Sequence, residues 1–353
     1  MKFDRTLPRE LVHRAAVAEV FLTDAVRRGE DEVVLAAQLP RLHAFYDDTL
    51  GPRTGHDPMM LLEACRQGIF VVAHRFLDVP LDHKFLLRTV EFEVLDPGPP
   101  TPGPFPADVV ITTRIEHRAR TRSGVTGLRL RFTATAGNRD VMTAGIDYSW
   151  MPPQRWTRLR TGQRARLELP AVPIAPQVAR IRPGLVGRRD PANAVISPVR
   201  ATADDGLTAR LVLDTSHPVM FDHWVDHVPG MLELEAFRQL AVAAAVRAGV
   251  LPAPTARPVA LHARFRSFAE LDLPVECRTG PVRPGADVEC TLRQPGALVA
   301  DARVRFAERG PAVPARSHDA LSGARGGRAA VPHVLAGSGA GPRAAVHGAG
   351  TRL

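Results

Sequence analysis

His56-Asp57-Pro58-Met59-Met60-Leu61-Leu62-Glu63-Ala64-Cys65-Arg66-Gln67 returns later in the chain as His227-Val228-Pro229-Gly230-Met231-Leu232-Glu233-Leu234-Glu235-Ala236-Phe237-Arg238-Gln239. Both copies read His-x-Pro, an apolar step, then Glu-Ala-x-Arg-Gln. Both run on into apolar sequence, Gly68 to Ala73 in the first and Leu240 to Val246 in the second. Apart from Glu233, each stretch is apolar on nearly every helical face around its Glu-x-x-Arg-Gln, which is the pattern of a buried helix. A charge inside such a helix is costly unless it is paired. Glu63 lies three residues before Arg66 and four before Gln67, so the triplet shares one face, as do Glu235, Arg238 and Gln239. Taken singly, either triplet reads equally well as a structural ion pair. Its occurrence at matched positions favours a duplicated site, of which one copy need remain active.

Outward from these helices the duplication continues. Arg14 lines up with Arg188 (188 − 14 = 174), His43 with His217 (217 − 43 = 174) and Glu63 with Glu235 (235 − 63 = 172). A near-constant offset over this span is an internal repeat. Each unit opens with a short strand (17–23; 194–200) and a second extended stretch (33–38; 207–214). The long helix follows (about 58–77; about 230–248). Several β-patterned runs close the unit: 85–95, 108–118, 128–135 and 141–150 in the first, 259–268, 275–279, 288–293 and 298–306 in the second. Arg114-Ile115-Glu116-His117-Arg118 and Leu128-Arg129-Leu130-Arg131-Phe132 alternate with period two, as half-buried strands do. Residues 97–106 form a proline-rich loop. The predicted organisation is a first unit over 1–153, a Pro/Arg-rich connector over 154–185, a second unit over 186–308 and a tail over 309–353. One apolar helix followed by an antiparallel sheet, done twice, is an α+β plan. A sheet wrapped round a single central helix is a hot-dog. The expected fold is thus a double hot-dog whose tandem units pair as a pseudo-dimer, with sites at their shared interface.

Composition narrows the function classes. The chain of 353 residues is 45% hydrophobic, enough for a core, but only 5% aromatic, so aliphatic side chains must fill it. The net charge of +9 is uneven: from Arg309 onward Arg309, Arg316, Arg325, Arg328, Arg343 and Arg352 stand against Asp319 alone, 6 − 1 = +5. That Gly/Ala/Pro-rich tail has no apolar period and reads as disordered. The remaining +4 argues little for nucleic acid, and no recognition helix or zinc finger supports it. A basic body suits an acidic partner. Cys65, Cys277 and Cys290 are odd in number and lack metal spacing, a reduced, cytoplasmic pattern. Cys65 reads as packing, because the second copy has Phe237 there. No apolar run approaches a membrane span or a signal peptide.

Further motifs carry a resemblance. Asp226-His227-Val228-Pro229-Gly230 running into Glu235-Ala236-Phe237-Arg238-Gln239 resembles the A-factor biosynthesis family of γ-butyrolactone synthases. So do Leu11-Val12-His13-Arg14 with Glu19-Val20-Phe21-Leu22-Thr23-Asp24, Pro40-Arg41-Leu42-His43, Glu63-Ala64-Cys65-Arg66-Gln67 and Val186-Gly187-Arg188-Arg189-Asp190-Pro191. The likeness runs from about Leu11 to Glu308. It implies transfer of a β-ketoacyl group from acyl carrier protein to a hydroxyl of dihydroxyacetone phosphate, with no cofactor. The family is also similar to hot-dog β-hydroxyacyl dehydratases, in which a His and a helix carboxylate act together. That likeness places His223 near the dehydratase His, Pro229-Gly230 at its turn and Glu235 at its acid. The spacing, 235 − 223 = 12, is shorter than the dehydratase pattern. In the first unit Pro58 is followed by Met59, not Gly, and no clear equivalent of His223 exists.

Acyl transfer to an alcohol needs a base, donors for the oxyanion, a cation for the phosphate and an apolar channel. Glu63, in a buried helix where a raised pKa is expected, is the first choice for base and Glu235 the second. Arg66 and Arg238 are candidates for phosphate binding or for keeping the carboxylates charged. Gln67 and Gln239 orient. Gly230 admits a ligand close to the backbone at the helix start, where free amides gather. Arg14 is left between pairing with Glu19, pairing with Glu63 and meeting phosphate. For His223 catalysis and structure are level, and His227 reads as structural. The histidines and aspartates from His217 to His227 match no strong zinc motif, so no metal is expected. No Walker, Rossmann or Gly-x-Ser-x-Gly pattern occurs. The alternatives are a dehydratase or thioesterase on acyl carrier substrates, and a non-catalytic regulatory ligand-binding protein touching DNA through its tail. A homodimer is left open.

Overall fold

The computed structural model describes residues 1–51, 55–95, 105–122, 124–170 and 172–307. Twelve strands form one antiparallel sheet: β1 (Leu22–Arg27), β2 (Glu32–Leu39), β3 (Lys84–Val94), β4 (Ala107–Thr121), β5 (Gly124–Ala136), β6 (Arg139–Met151), β7 (Arg200–Ala201), β8 (Leu207–Arg210), β9 (Pro258–Phe265), β10 (Glu276–Thr279), β11 (Val288–Gln294) and β12 (Ala297–Phe306). Their spatial order is β1-β2-β4-β5-β6-β3-β9-β12-β11-β10-β8-β7. Read outward from the β3–β9 seam, the order in one direction is that of the other with every strand number raised by six, as a tandem repeat about a pseudo-twofold requires. The seam is antiparallel, with Val90 opposite Ala263 and Phe92 opposite Leu261.

Each half-sheet wraps one helix, α1 (Pro58–Phe76) or, third in chain order, α3 (Gly230–Arg247); α2 (Pro153–Arg166) lies between them in sequence. Asp57 caps α1 by accepting the Met59 amide at 2.9 Å, and Pro58 supplies a preset first turn. From Pro58 to Cys65, and again from Gln67 to His74, α1 is buried without interruption. Its apolar circumference is therefore what lets the sheet curl round it. Gly68 marks the closest approach: a Cβ there would come within 2.5 Å of Leu35 Cδ1 on β2. Tyr148 on β6 donates its hydroxyl to the Ile69 carbonyl at 3.0 Å, tying sheet to helix. α3 is likewise buried from Met231 to Val242. Cys65, Cys277 and Cys290 are buried free thiols whose pKa burial pushes up, consistent with packing roles.

Three expectations change. The strand expected at 17–23 is a 3₁₀ turn, Val17–Glu19, with β1 starting only at Leu22. The strand expected at 194–200 reduces to a single bridge, Ile196 to Leu211, and the two-residue β7. In both places a helix glutamine takes the backbone pairing that a neighbouring strand would have taken: Gln67 accepts the Phe21 amide and Gln239 the Val195 amide, each at 2.9 Å. The connector contains α2, whose buried face carries Trp156, Arg160 and Arg164. Arg160 and Arg164 both bind Glu270, at 2.7 and 2.9 Å. Most of the proline-rich loop, and the tail expected over 309–353, lie outside the described residues.

Candidate active site

Two carboxylate clusters stand on the two central helices. On α1, Glu63 Oε1 accepts hydrogen bonds from Arg14 Nε (3.1 Å) and Nη2 (2.5 Å), Arg66 Nη2 (2.8 Å) and Gln67 Nε2 (3.0 Å). Its Oε2 accepts from Arg66 Nε at 2.7 Å. Arg14 therefore pairs with Glu63, the contact that the sequence left undecided. Burial alone would raise the Glu63 pKa, as the sequence reading anticipated. Instead Arg14 and Arg66, with the hydrogen bonds from Arg66 and Gln67, outweigh burial and hold the carboxyl at about 2. Glu63 is thus a fully buried, charged acceptor with donors on both oxygens, a clamp on two guanidiniums rather than a poised base.

The sign of its linkage follows. The folded pKa lies below the ordinary glutamate value near 4.5, so the stabilising effect of this cluster is complete above that value and is lost as pH falls towards about 2. Acid titration followed by circular dichroism should place the wild-type unfolding midpoint at lower pH than that of Glu63→Gln. An unchanged midpoint would count against the charged assignment.

The α3 cluster repeats this geometry. Glu235 accepts from Arg188 Nε and Nη2 (3.1 and 2.9 Å), Arg238 Nε and Nη2 (2.8 and 2.6 Å) and Gln239 Nε2 (2.5 Å). Burial opposes its charge, and Arg188 and Arg238 overcome that and lower its pKa.

The halves also brace each other. Arg14 Nη1 donates to the Val219 carbonyl at 3.2 Å, and Asp222 accepts the amides of Ala15 and Ala16 at 2.6 and 2.9 Å. In return Arg188 Nη1 donates to the carbonyls of Phe45 and Asp48, and Asp48 accepts the amides of Arg189 and Asp190 at about 3.1 Å. His43 and His217 shape the loops that present these carbonyls. His43 Nδ1 accepts the Phe45 and Tyr46 amides, and His217 Nδ1 those of Val219 and Met220.

The clusters differ in what faces them. Beside Arg238 stands Asp57, 3.6 Å away, whose other oxygen caps α1. The position matched to Asp57 ahead of α3 is Pro229, which offers no carboxylate and no side-chain cap. Where Asp57 closes the second cluster, the first opens onto a cavity of about 780 Å³. Arg14, Arg66, His13 and His223 line it on one side and the α3 start, Gly230 and Met231, on another. Ile69, Phe70, Phe85, Leu87, Met220 and Phe265 give it apolar walls. A Cβ at Gly230 would press on Leu87 Cδ1 at 3.1 Å and Phe265 Cε1 at 3.3 Å, so these side chains would have to give by a few tenths of an ångström. The uncapped first amides of α3 form a ready anion or oxyanion site.

Of the residues expected at the site, Arg14, Arg66, His223 and Gly230 meet at this cavity, with Glu63 and Gln67 behind the guanidiniums. Glu235, Arg238 and Gln239 do not line it. The dehydratase-type pairing of His223 with Glu235 is therefore not assembled. His227 bonds Asp226 at 2.7 Å and packs against Trp156 and Phe268, a structural role. The sequence reading passed over His13, Lys84 and Glu233, all at the cavity. Glu233 Oε2 is buried without a partner, and burial raises its pKa well above the usual range. Its lone place in an apolar helix face was the available signal.

A double hot-dog with a basic, half-apolar cleft between its halves is the class of protein that this fold and site define. The sequence profile of the A-factor biosynthesis hotdog domain matches residues 1–151 and 170–307, and the chain belongs to that family. It is similar to 2-oxo-3-(phosphooxy)propyl 3-oxoalkanoate synthase of Streptomyces virginiae, 35% identical over 285 residues covering 80% of this chain and 89% of that protein. The synthase of the same name from Streptomyces griseus is 30% identical over 295 residues, covering 81% and 89%. Among solved structures, the dehydratase domain from the CurF module of curacin polyketide synthase gives a TM-score of 0.47 at 9% identity, covering 81% of this chain and 98% of that one.

Proposed function

We propose that this chain is an acyltransferase that moves a 3-oxoacyl group from an acyl carrier protein thioester to a hydroxyl of dihydroxyacetone phosphate, forming the ester precursor of a γ-butyrolactone signal. The observation that carries this reading is the open cavity, where Arg66 and Arg14, held by Glu63, face the uncapped start of α3 across apolar walls. Arg66 meets the phosphate as a guanidinium fork. The first α3 amides receive the thioester oxygen as it becomes an oxyanion. The apolar wall takes the acyl chain. Lys84, Arg88 and Arg266 stand exposed on the cavity rim, a basic surround that suits an acidic carrier. The names of the relatives, a phosphooxypropyl ester of a 3-oxoalkanoate, support the same chemistry.

Purified protein is mixed with 3-oxoacyl carrier protein and dihydroxyacetone phosphate, and products are read by mass spectrometry. The expected product is the phosphorylated ester. Free acid would replace this reading with a thioesterase, an enoyl product from 3-hydroxyacyl carrier protein run in parallel would replace it with a dehydratase, and tight ligand binding without turnover would replace it with a regulatory protein. Arg66→Ala should raise the KM for dihydroxyacetone phosphate by roughly tenfold to a hundredfold, the loss of a charge-assisted contact. An unchanged KM would move the phosphate elsewhere.

A further inference from the structure

We infer that His13 is the residue that takes and returns the proton during acyl transfer, with His74 as the positioning residue that fixes its tautomer. The inference rests on the acyl-transfer reading above.

Acyl transfer needs a group to receive the alcohol proton, and Glu63 has donors on both oxygens. His13 lines the same cavity and precedes Arg14 directly. It sits in the left-handed region, φ 53°, closing the 3₁₀ turn Arg9–Val12. That conformation is uncommon for a residue other than glycine, though histidine is among those that adopt it, and such residues gather at functional sites. The turn sends the His13 ring onto Phe70, stacked at 4.2 Å and 7°, with Phe85 edge-on at 5.2 Å.

Its hydrogen bonding fixes which nitrogen is free. His74 Nδ1 lies 2.7 Å from the Val79 carbonyl, an acceptor, so Nδ1 carries the proton. In the neutral ring His74 Nε2 is then an acceptor, and His13 Nε2, 2.8 Å away, donates to it. The remaining nitrogen, His13 Nδ1, is therefore an acceptor. It has no hydrogen-bond partner among the described residues and is not sealed from solvent. Burial, helped by the positive charges of Arg66 and Lys84, lowers the His13 pKa to about 3, and burial also lowers that of His74. Both rings are neutral in the empty site, as the assignment requires. A phosphate dianion arriving beside Arg66 opposes those positive charges and makes His13 a better base when substrate is present.

The step balances within the two substrates. The alcohol oxygen bonds to the thioester carbon while its proton passes to His13 Nδ1 and the carbonyl π pair moves onto oxygen. Collapse re-forms the carbonyl and breaks the carbon–sulfur bond, and the departing sulfur takes the proton back from Nδ1. The products are the ester and the free carrier thiol, with His13 neutral again.

The test compares the full-length wild type with His13→Asn, which tolerates the left-handed backbone, His13→Gln, His74→Gln and His74→Phe. The substrates are a 3-oxoacyl thioester and dihydroxyacetone phosphate. Both His13 variants should lose kcat by about 100-fold or more while the KM for dihydroxyacetone phosphate stays within about twofold. Added imidazole should restore part of the His13→Asn rate. His74→Gln, which keeps an acceptor for His13, should lose less than His74→Phe. Wild-type turnover with undiminished kcat in folded His13→Gln overturns the proposal alone. A His13→Asn loss without imidazole rescue does the same. Absence of ester from the wild type removes the acyl-transfer reading beneath it. If the variants do not fold, diethyl pyrocarbonate labelling of native protein decides: His13 should be modified, and dihydroxyacetone phosphate should protect it. An unreactive His13 overturns the proposal.

Discussion

Glu235→Ala is expected to lower the melting temperature by on the order of 10 °C. The substitution leaves the side chains of Arg188 and Arg238, only 1% and 3% exposed, charged and without their carboxylate. Breaking a buried pair in this way costs about 3–5 kcal/mol, and each kcal/mol moves the midpoint by roughly 2–4 °C in a large domain. Asp57, 3.6 Å from Arg238, is too distant for a close hydrogen bond and only partly replaces the lost charge. Replacing Glu235, Arg188 and Arg238 together by apolar residues of similar volume should recover much of the loss, since the cost lies in the unpaired charges. Differential scanning calorimetry of the single and triple variants checks this. A single variant that melts within a degree or two of wild type would refute the assignment of the α3 cluster as a structural keystone.

Glu63→Gln should divide the other way, with ester formation falling by about 100-fold or more and a smaller loss of melting temperature. The amide still fits between Arg14, Arg66 and Gln67, but it accepts on one atom and presents a donor on the other. One guanidinium must turn away, and a misdirected phosphate fork loses the near-attack geometry on which rate depends. The smaller thermal cost follows from the open cavity: the Arg66 side chain is 13% exposed, so water can solvate what Glu63 releases. Parallel kcat/KM and melting measurements on Glu63→Gln and Glu235→Gln are decisive. Activity lost in Glu235→Gln and kept in Glu63→Gln would transfer the live site to the other half.

How far the sequence reached depended on the distance over which each signal acts. The central helices were legible to within a residue or two because their apolar circumference, Pro58 and Gly230 are local features. The long strands β3 to β6 were legible as local β-patterned runs, with period-two alternation in β4 and β5. The repeat itself was legible from Arg14, His43 and Glu63 and their partners near 174 residues on. The start of each unit was not. Val17-Ala18-Glu19-Val20 has strand composition, but Gln67, far along the chain, takes the Phe21 amide and donates to the Glu19 carbonyl at 2.7 Å. Tertiary hydrogen bonding overrode local preference there. α2 was hidden because its buried face is arginine, so no apolar stripe announced a helix. At the site, the α1 triplet was visible at helical spacing. The cluster's fourth member, Arg14, stands 49 residues from Glu63, and the His13–His74 contact spans 61 residues. No spacing rule reports either contact. The pKa of Glu63 was expected to rise because burial was visible in sequence, while Arg14 was left between three partners and its charge was not counted against burial.

The bonds that Arg14 and Arg188 send across the halves have a consequence for how such a chain changes over time. Each carboxylate cluster is built from one half alone, but its outer arginine also ends on a carbonyl of the other half, so neither cluster is fully braced by itself. Two separate polypeptides would have to find each other before either arginine was braced on both sides. Joined in one chain, they meet at an effective concentration set by a short tether, in the millimolar range for flexible linkers. Assembly then no longer depends on expression level, and one copy is released from having to be a working site so long as it remains a good neighbour. Asp57 standing where its counterpart is Pro229 is what such release looks like: the mouth of one cluster shut and its scaffold kept.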